Sequence, residues 1–186
     1  MAVTFTTSGT ASAGGVQQSY ALVHAALLEG QLSDIRDNTI GTYINETAVV
    51  LPFGDVQVYN SAGTVANSAK TLSASGDTVV GINVLTYVDE TALNSDNRPG
   101  VKIDQVLNVA NEGAVAVYVT GAVNPSSVVR VLFSASGTGK AGQFSHAFAS
   151  GKTVRLSNAR FLSATTGSGL AILELNGPSF TLSADS

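Results

Sequence analysis

The sequence predicts an all-β domain, a compact barrel or sandwich, preceded by an extended N-terminal arm and one short helix. Three observations predict it. Val115, Val117 and Val119 alternate with Ala116 and Tyr118, and Val129, Val131 and Phe133 alternate with Arg130 and Leu132, the period of two that marks strands. Asn124-Pro125-Ser126-Ser127 separates the two runs as a turn. Short strand-like stretches then recur between Gly, Ser and Asn turns to the C-terminus, the spacing of a sandwich or barrel. A helix fits residues 113–134 poorly: β-branched side chains lose rotamer freedom in one, and two glycines and a proline interrupt any stripe.

Residues 1–15 are small and polar, with Gly9, Gly14 and Gly15, and offer no stripe to bury. They are expected to act as an arm that orders against a partner. Residues 16–29 place Val16, Tyr20, Val23 and Leu27 at helical spacing before a stop at Gly30. Residues 31–47 read as a polar, irregular linker. The expected organisation is residues 1–47 as arm, short helix and linker, and residues 48–186 as the β domain, open to division into two β subdomains.

From Ala48 onward the texture is that of strands. Pro52 sits at an edge or bend, and Val56 and Val58 share one face. Ser75-Gly76-Asp77 is a turn, and Gly81 within residues 78–87 suggests a bulge or a close neighbouring backbone. Residues 101–109 lead into the central pair. Residues 153–156, 159–164, 169–175 and 179–182 complete the strands.

Composition removes several classes of function. With 186 residues a core can form without staples, and the absence of cysteine excludes disulfides, thiolate metal sites and cysteine nucleophiles together. Only 12% of residues are charged against 44% hydrophobic, so much of the surface is small and neutral. Such a strand-rich surface associates by its edges unless these are covered, which points to life inside an assembly. Residues 1–112 hold four basic and eleven acidic side chains and residues 113–186 five and two, an asymmetry by which the halves can meet within a monomer or between neighbouring copies, or which is chance segregation on a solvated surface. The basic residues are spread out and not interleaved with aromatics, so no nucleic-acid partner is expected. No run of apolar residues approaches a membrane span and no secretion signal leads the chain, so neither membrane nor export is expected.

Motifs that carry chemistry are incomplete. Asp34 and Asp37 lack a third group, and Asp89, Glu90 and Asp96 lack the spacing of a calcium loop. His24 and His146 are isolated from each other, which is poor grounds for a metal site. Gly137, Gly139 and Gly142 spell a dinucleotide fingerprint without the helix that must follow. Ser150-Gly151-Lys152-Thr153 ends like a phosphate loop, but the required first glycine is His146. Asn45-Glu46-Thr47 matches a glycosylation acceptor, expected to be without consequence in the absence of a secretion signal. No serine sits in a hydrolase elbow. The expectation is a protein that is not an enzyme, with no catalytic residue, no cofactor and no metal.

The order of features resembles the structural cement, or capsid-stabilising, proteins of tailed bacteriophages. The resemblance runs through GQLSD (from Gly30), LPFGDVQV (from Leu51), SGDTVVGINV (from Ser75), RPGVKIDQVLNV (from Arg98), GAVAVYV (from Gly113) and GQF (from Gly142). It implies a compact domain of barrel or jelly-roll character that decorates the virion, assembles in the host cytoplasm, clusters as trimers, and clamps neighbouring major capsid proteins. The alternative is a carbohydrate-binding adhesin or receptor-binding module using Tyr59, Tyr87 and Tyr118, disfavoured by the absence of tryptophan. A small hydrolase is a third, weaker reading.

Overall fold

The computed structural model describes residues 27–33, 37–86, 91–177 and 180–184, and all regular structure among them is β. The expected arm, and the expected helix up to residue 26, lie outside the described residues. Residues 27–30 form no helix: they run as irregular chain into a turn that ends at Gly30, with φ 78°.

The strands are β1 (Thr39–Asn45), β2 (Leu51–Pro52), β3 (Val56–Tyr59), β4 (Ser68–Thr71), β5 (Val79–Asn83), β6 (Thr91–Leu93), β7 (Pro99–Val101) and β8 (Val106–Val119). They continue as β9 (Arg130–Leu132), β10 (Phe144–Ser145), β11 (Thr153–Leu156), β12 (Ala159–Phe161), β13 (Gly169–Leu175) and β14 (Leu182–Ala184). Five of them close a ring in the order β1-β4-β3-β5-β8, with β8 pairing back to β1. The remainder extend an open sheet from the far half of β8: β13 and β12 on one side, then β10, β9, β11 and β14 on the other. A small sheet, β2-β7-β6, packs with the ring.

The 14-residue strand β8 is therefore shared by both parts. It changes partners at Gly113: β1 pairs as far as Glu112, and β13 pairs from Gly113 to Val119. Gly113 has φ 118°, and a Cβ there would lie 1.8 Å from Asn38 Oδ1. Only glycine fits a strand that turns in this way beneath another side chain.

Register separates two faces of the ring. Asn45, Ala69, Gln57, Gly81, Asn83, Leu107 and Val109 fall on the inner face, through the pairs Asn45↔Ala69, Gln57↔Gly81, Asn83↔Val109 and Tyr43↔Leu107. Leu51, Phe53 and Val101 join them from the small sheet and its flank. Val56, Val58, Ile82 and Ala110 point the other way into the main core with Val115, Val117, Phe144, Phe161 and Leu173. Gly81 supplies both features expected of it: the β3–β5 register shifts beside it, and a Cβ would sit 2.2 Å from the Ala110 carbonyl oxygen.

Two local expectations are corrected. The stretch read as an irregular linker contains β1, whose Thr39, Ile40, Thr42 and Ile44 favour a strand although its inward residue, Asn45, is polar. The two alternating runs around the Asn124 turn are both strands, β8 and β9, but not a hairpin: β10 lies between them, parallel to β8 and antiparallel to β9. The turn itself forms, with Ser127 N donating to the Asn124 carbonyl at 2.9 Å.

Candidate partner-binding surface

Residues 28–33 enter the fold as a strand-like addition to the far half of β8. Gly30 N donates to the Ala116 carbonyl, Ala116 N to that of Gln31, and Ser33 N to that of Ala114, each at 2.8 Å. A Cβ on Gly30 would lie 2.8 to 2.9 Å from Leu85 N, Asn83 O and Gly54 N, so glycine is what lets three backbones meet here.

One residue earlier, Glu29 is held by Arg98. The guanidinium donates from Nε and Nη2 to Glu29 Oε2 at 3.0 and 2.8 Å. On its other edge it makes a bidentate pair with Asp55, Nη1 to Oδ2 at 2.8 Å and Nη2 to Oδ1 at 2.6 Å. The turn before β7 aims the side chain: Asn94 Oδ1 accepts from Asp96 N and Arg98 N, both at 2.9 Å. Loss of water pushes the Asp55 carboxyl up to about 6, against the opposing pull of Arg98, while the two carboxylates raise the Arg98 pKa further. The planar fork thus fastens the root of the N-terminal segment to the barrel.

Arg98 and Asp55 also line a cleft of about 500 Å³. Its other walls include Val49, Leu93 and Ile103, which are 59, 62 and 45% exposed. Asp96 and Lys140 form an ion pair at 2.9 Å in the same wall. Scattered exposed aliphatics are ordinary; these three are grouped in one depression.

Other sequence candidates have structural roles. Asn45 is fully buried; its amide donates to the carbonyls of Val49, Val101 and Lys102, and its Oδ1 accepts from Thr47. The glycosylation match is thus a turn that pins two irregular segments. Of the glycine fingerprint, Gly142 packs against Asp55, with 3.0 Å between a would-be Cβ and Asp55 Cβ, while Gly139 pairs with Ser136 in a tight hairpin. Strand β10 follows where a dinucleotide site needs a helix. The Ser150 loop is the turn into β11, with Lys152 N donating to the Ala149 carbonyl.

The acids disperse as well. Asp37 lines a shallow pocket with Glu112 and Glu174, but Glu174 pairs with Arg160 and Glu112 accepts from Thr39. Asp96 pairs with Lys140; Asp34, Asp89 and Glu90 lie outside the described residues, as do His24 and Tyr87. His146 is exposed, and Tyr59 and Tyr118 belong to the ring and to the far half of β8. Among the described residues no group of three His, Asp or Glu is placed to hold a metal ion.

The Arg98 clamp was missed because its members are 43 and 69 residues apart and look like ordinary loop charges. A signal was nevertheless present. Stretches that carry the family resemblance converge on the clamp: Gly30, then Asp55 after Leu-Pro-Phe-Gly, then Arg98 before Pro-Gly, with Gly142 behind Asp55.

The family of the structural cement protein (E217 gp24/Pam3 gp6) matches residues 16–176. The chain belongs to that family. This cement protein is also similar to a chain in the capsid of the Myoviridae phage XM1, with 18% identity, coverage of 91% of this chain and 99% of that one, and a TM-score of 0.62. At that identity the likeness concerns the fold. No curated protein matches the chain. Membership makes the chain a structural component of the virion capsid with a stabilising role.

Proposed function

We propose that the cement protein binds the outer surface of the capsid and clamps neighbouring major capsid proteins, several copies acting together, with trimers as the working unit. The family match carries this reading, and the anchoring of residues 28–33 supports the mechanism. An arm transmits load only if its root is fixed, and here the root is joined to β8 by backbone bonds and to Arg98 by a charged fork. Residues 1–15, ahead of the matched span, serve as the reaching arm; small side chains add to a strand edge or a groove with little rotamer entropy lost. Each contact is weak, and affinity comes from engaging many sites at once.

Deleting residues 2–15 is expected to leave a folded protein whose capsid binding weakens at least about tenfold, with a smaller rise in capsid unfolding temperature on saturation. Co-sedimentation with empty capsids and scanning calorimetry measure both. Binding unchanged by the deletion would sink the arm mechanism, and a monomer in light scattering that ignores capsids would sink the cementing reading itself.

A further inference from the structure

We propose that the depression beside Arg155, between the Asn124 turn and the turn from β11 to β12, receives carboxylate side chains of a second copy of this chain, Asp37 and Glu112 where its β1 begins. The proposal rests on the reading that copies act together, and it names the surfaces through which they meet. The depression holds about 430 Å³ and is lined by Arg155, Ser126, Ser127 and Ser157 among others. Ser126 Oγ donates to Asn124 Oδ1 at 2.6 Å and Ser157 Oγ to the Thr181 carbonyl at 3.1 Å. Ser127 Oγ accepts from Asn124 N at 3.0 Å and gives its own proton to no described residue. A guanidinium beside a hydroxyl that can still donate is suited to hold a carboxylate.

Register concentrates positive charge at this point. Ser145, Arg130, Arg155 and Ser183 form one row across β10, β9, β11 and β14. The next row, Phe144, Val131 and Val154, lies in the core, so this one faces outward. The two arginines are direct cross-strand partners, a like-charge pairing that costs stability unless a negative charge answers it. Arg130 is half-buried and donates to the His146 carbonyl, whereas Arg155 is exposed and pairs with no carboxylate among the described residues. Residues 113–173 contain no Asp or Glu, so strands β9 to β12 supply no answering charge.

That charge lies elsewhere on the molecule. Asp37, Glu112 and Glu174 line a second depression. Glu174 pairs with Arg160, and neither Asp37 nor Glu112 has a cationic partner among the described residues. Within one chain these carboxylates cannot reach Arg155. Glu112 stands seven residues along β8 from Val119, roughly 23 Å, and the row Val119, Phe144, Val131, Val154 carries the neighbour of Arg155 a further three strands across, roughly 14 Å. Between copies they can meet. Because the basic and acidic surfaces differ, the contact is head-to-tail, the kind that closes into a ring such as a trimer.

Sedimentation of the full chain without capsids tests this. The wild-type chain is expected to associate, less tightly as salt rises, and Arg155→Glu to weaken association at least about tenfold. Asp37→Lys with Glu112→Lys is expected to weaken it as much, and the variant carrying all three changes to regain it. Lys70→Glu, at a cation paired with Asp77 outside both surfaces, is expected to leave association unchanged. Association unaffected by Arg155→Glu, not regained in the triple variant, or weakened equally by Lys70→Glu would overturn the proposal. So would a wild-type chain that stays monomeric; if that monomer still bound capsids, the cementing reading would stand without it.

Discussion

The ring and the open sheet hang on one strand yet are filled differently. Inside the ring, Asn45, Gln57 and Asn83 are fully buried beside Leu107, Val109 and Phe53. The open sheet is lined by Val115, Val117, Val131, Val154, Ala171 and Leu173 together with Phe144 and Phe161. The difference follows from what each encloses. Against the inner face of the ring lie the short strands β2 and β7 with the chain that adjoins them, and Asn45 and Asn83 donate to the carbonyls of Val49, Leu51, Pro52, Val101 and Lys102 there. The sheet presents regular strands whose backbone groups satisfy one another, so its side chains need only fill space. The buried Asn45 and Asn83 amides mark where the ring is joined to the small sheet.

That contrast can be broken most severely at Gly81, where ring and core touch. Gly81→Ala places a methyl 2.2 Å from the Ala110 oxygen at φ 142°, and a loss of more than about 4 kcal/mol, enough to prevent folding, is expected. Circular dichroism of the purified variant checks it; a native spectrum with an unchanged melting temperature would mean that ring and β8 are not so closely apposed.

A finer test compares the two interiors. Leu173→Ala in the sheet is expected to cost about 2–5 kcal/mol through a cavity that a larger apolar side chain can refill. Asn45→Ala in the ring is expected to cost about 2–4 kcal/mol through carbonyls left without donors, and Asn45→Leu, nearer in volume, should do no better. Urea titration of the three variants decides the matter. If Asn45→Leu recovers the stability lost in Asn45→Ala, the ring is held by volume and the contrast fails.

The smallest effect lies at the joint between arm and barrel. Burial raises the Asp55 carboxyl from 3.8 to about 6, so between these values the folded protein holds a proton that the unfolded chain releases. The contribution of this group to stability is then fullest below pH 3.8 and is lost as pH rises through about 6, a change on the order of 1–3 kcal/mol. Asp55→Asn should remove that falling component from the stability profile, every other titrating group being common to both proteins. Superimposable pH slopes for the two would refute it.

Much of this fold was legible because alternation is a local signal. β11 and β13 coincide with the runs at 153–156 and 169–175, and the Val56 and Val58 face is where period two puts it. What escaped was pairing. Nothing local in Phe144-Ser145 tells a two-residue strand to slip between β8 and β9, and the Thr39–Asn45 run hides a strand because its apolar residues do not alternate cleanly and one of its inward residues, Asn45, serves hydrogen bonding while Tyr43 packs on the inner cluster. Family membership was legible through glycines and turns, yet the contact that explains several of them, Arg98 between Glu29 and Asp55, joins charges that sequence distance makes look unrelated.

The shared strand also has a mechanical meaning. β8 runs 14 residues, about 46 Å of extended chain. Ring, open sheet and the root of the N-terminal segment all bond to it along its length. Tension entering through the N-terminal segment would pass through its three backbone bonds to β8 and the Arg98 fork into a continuous covalent backbone that both halves of the fold share. A molecule strung on one such tie rod yields as a unit rather than part by part.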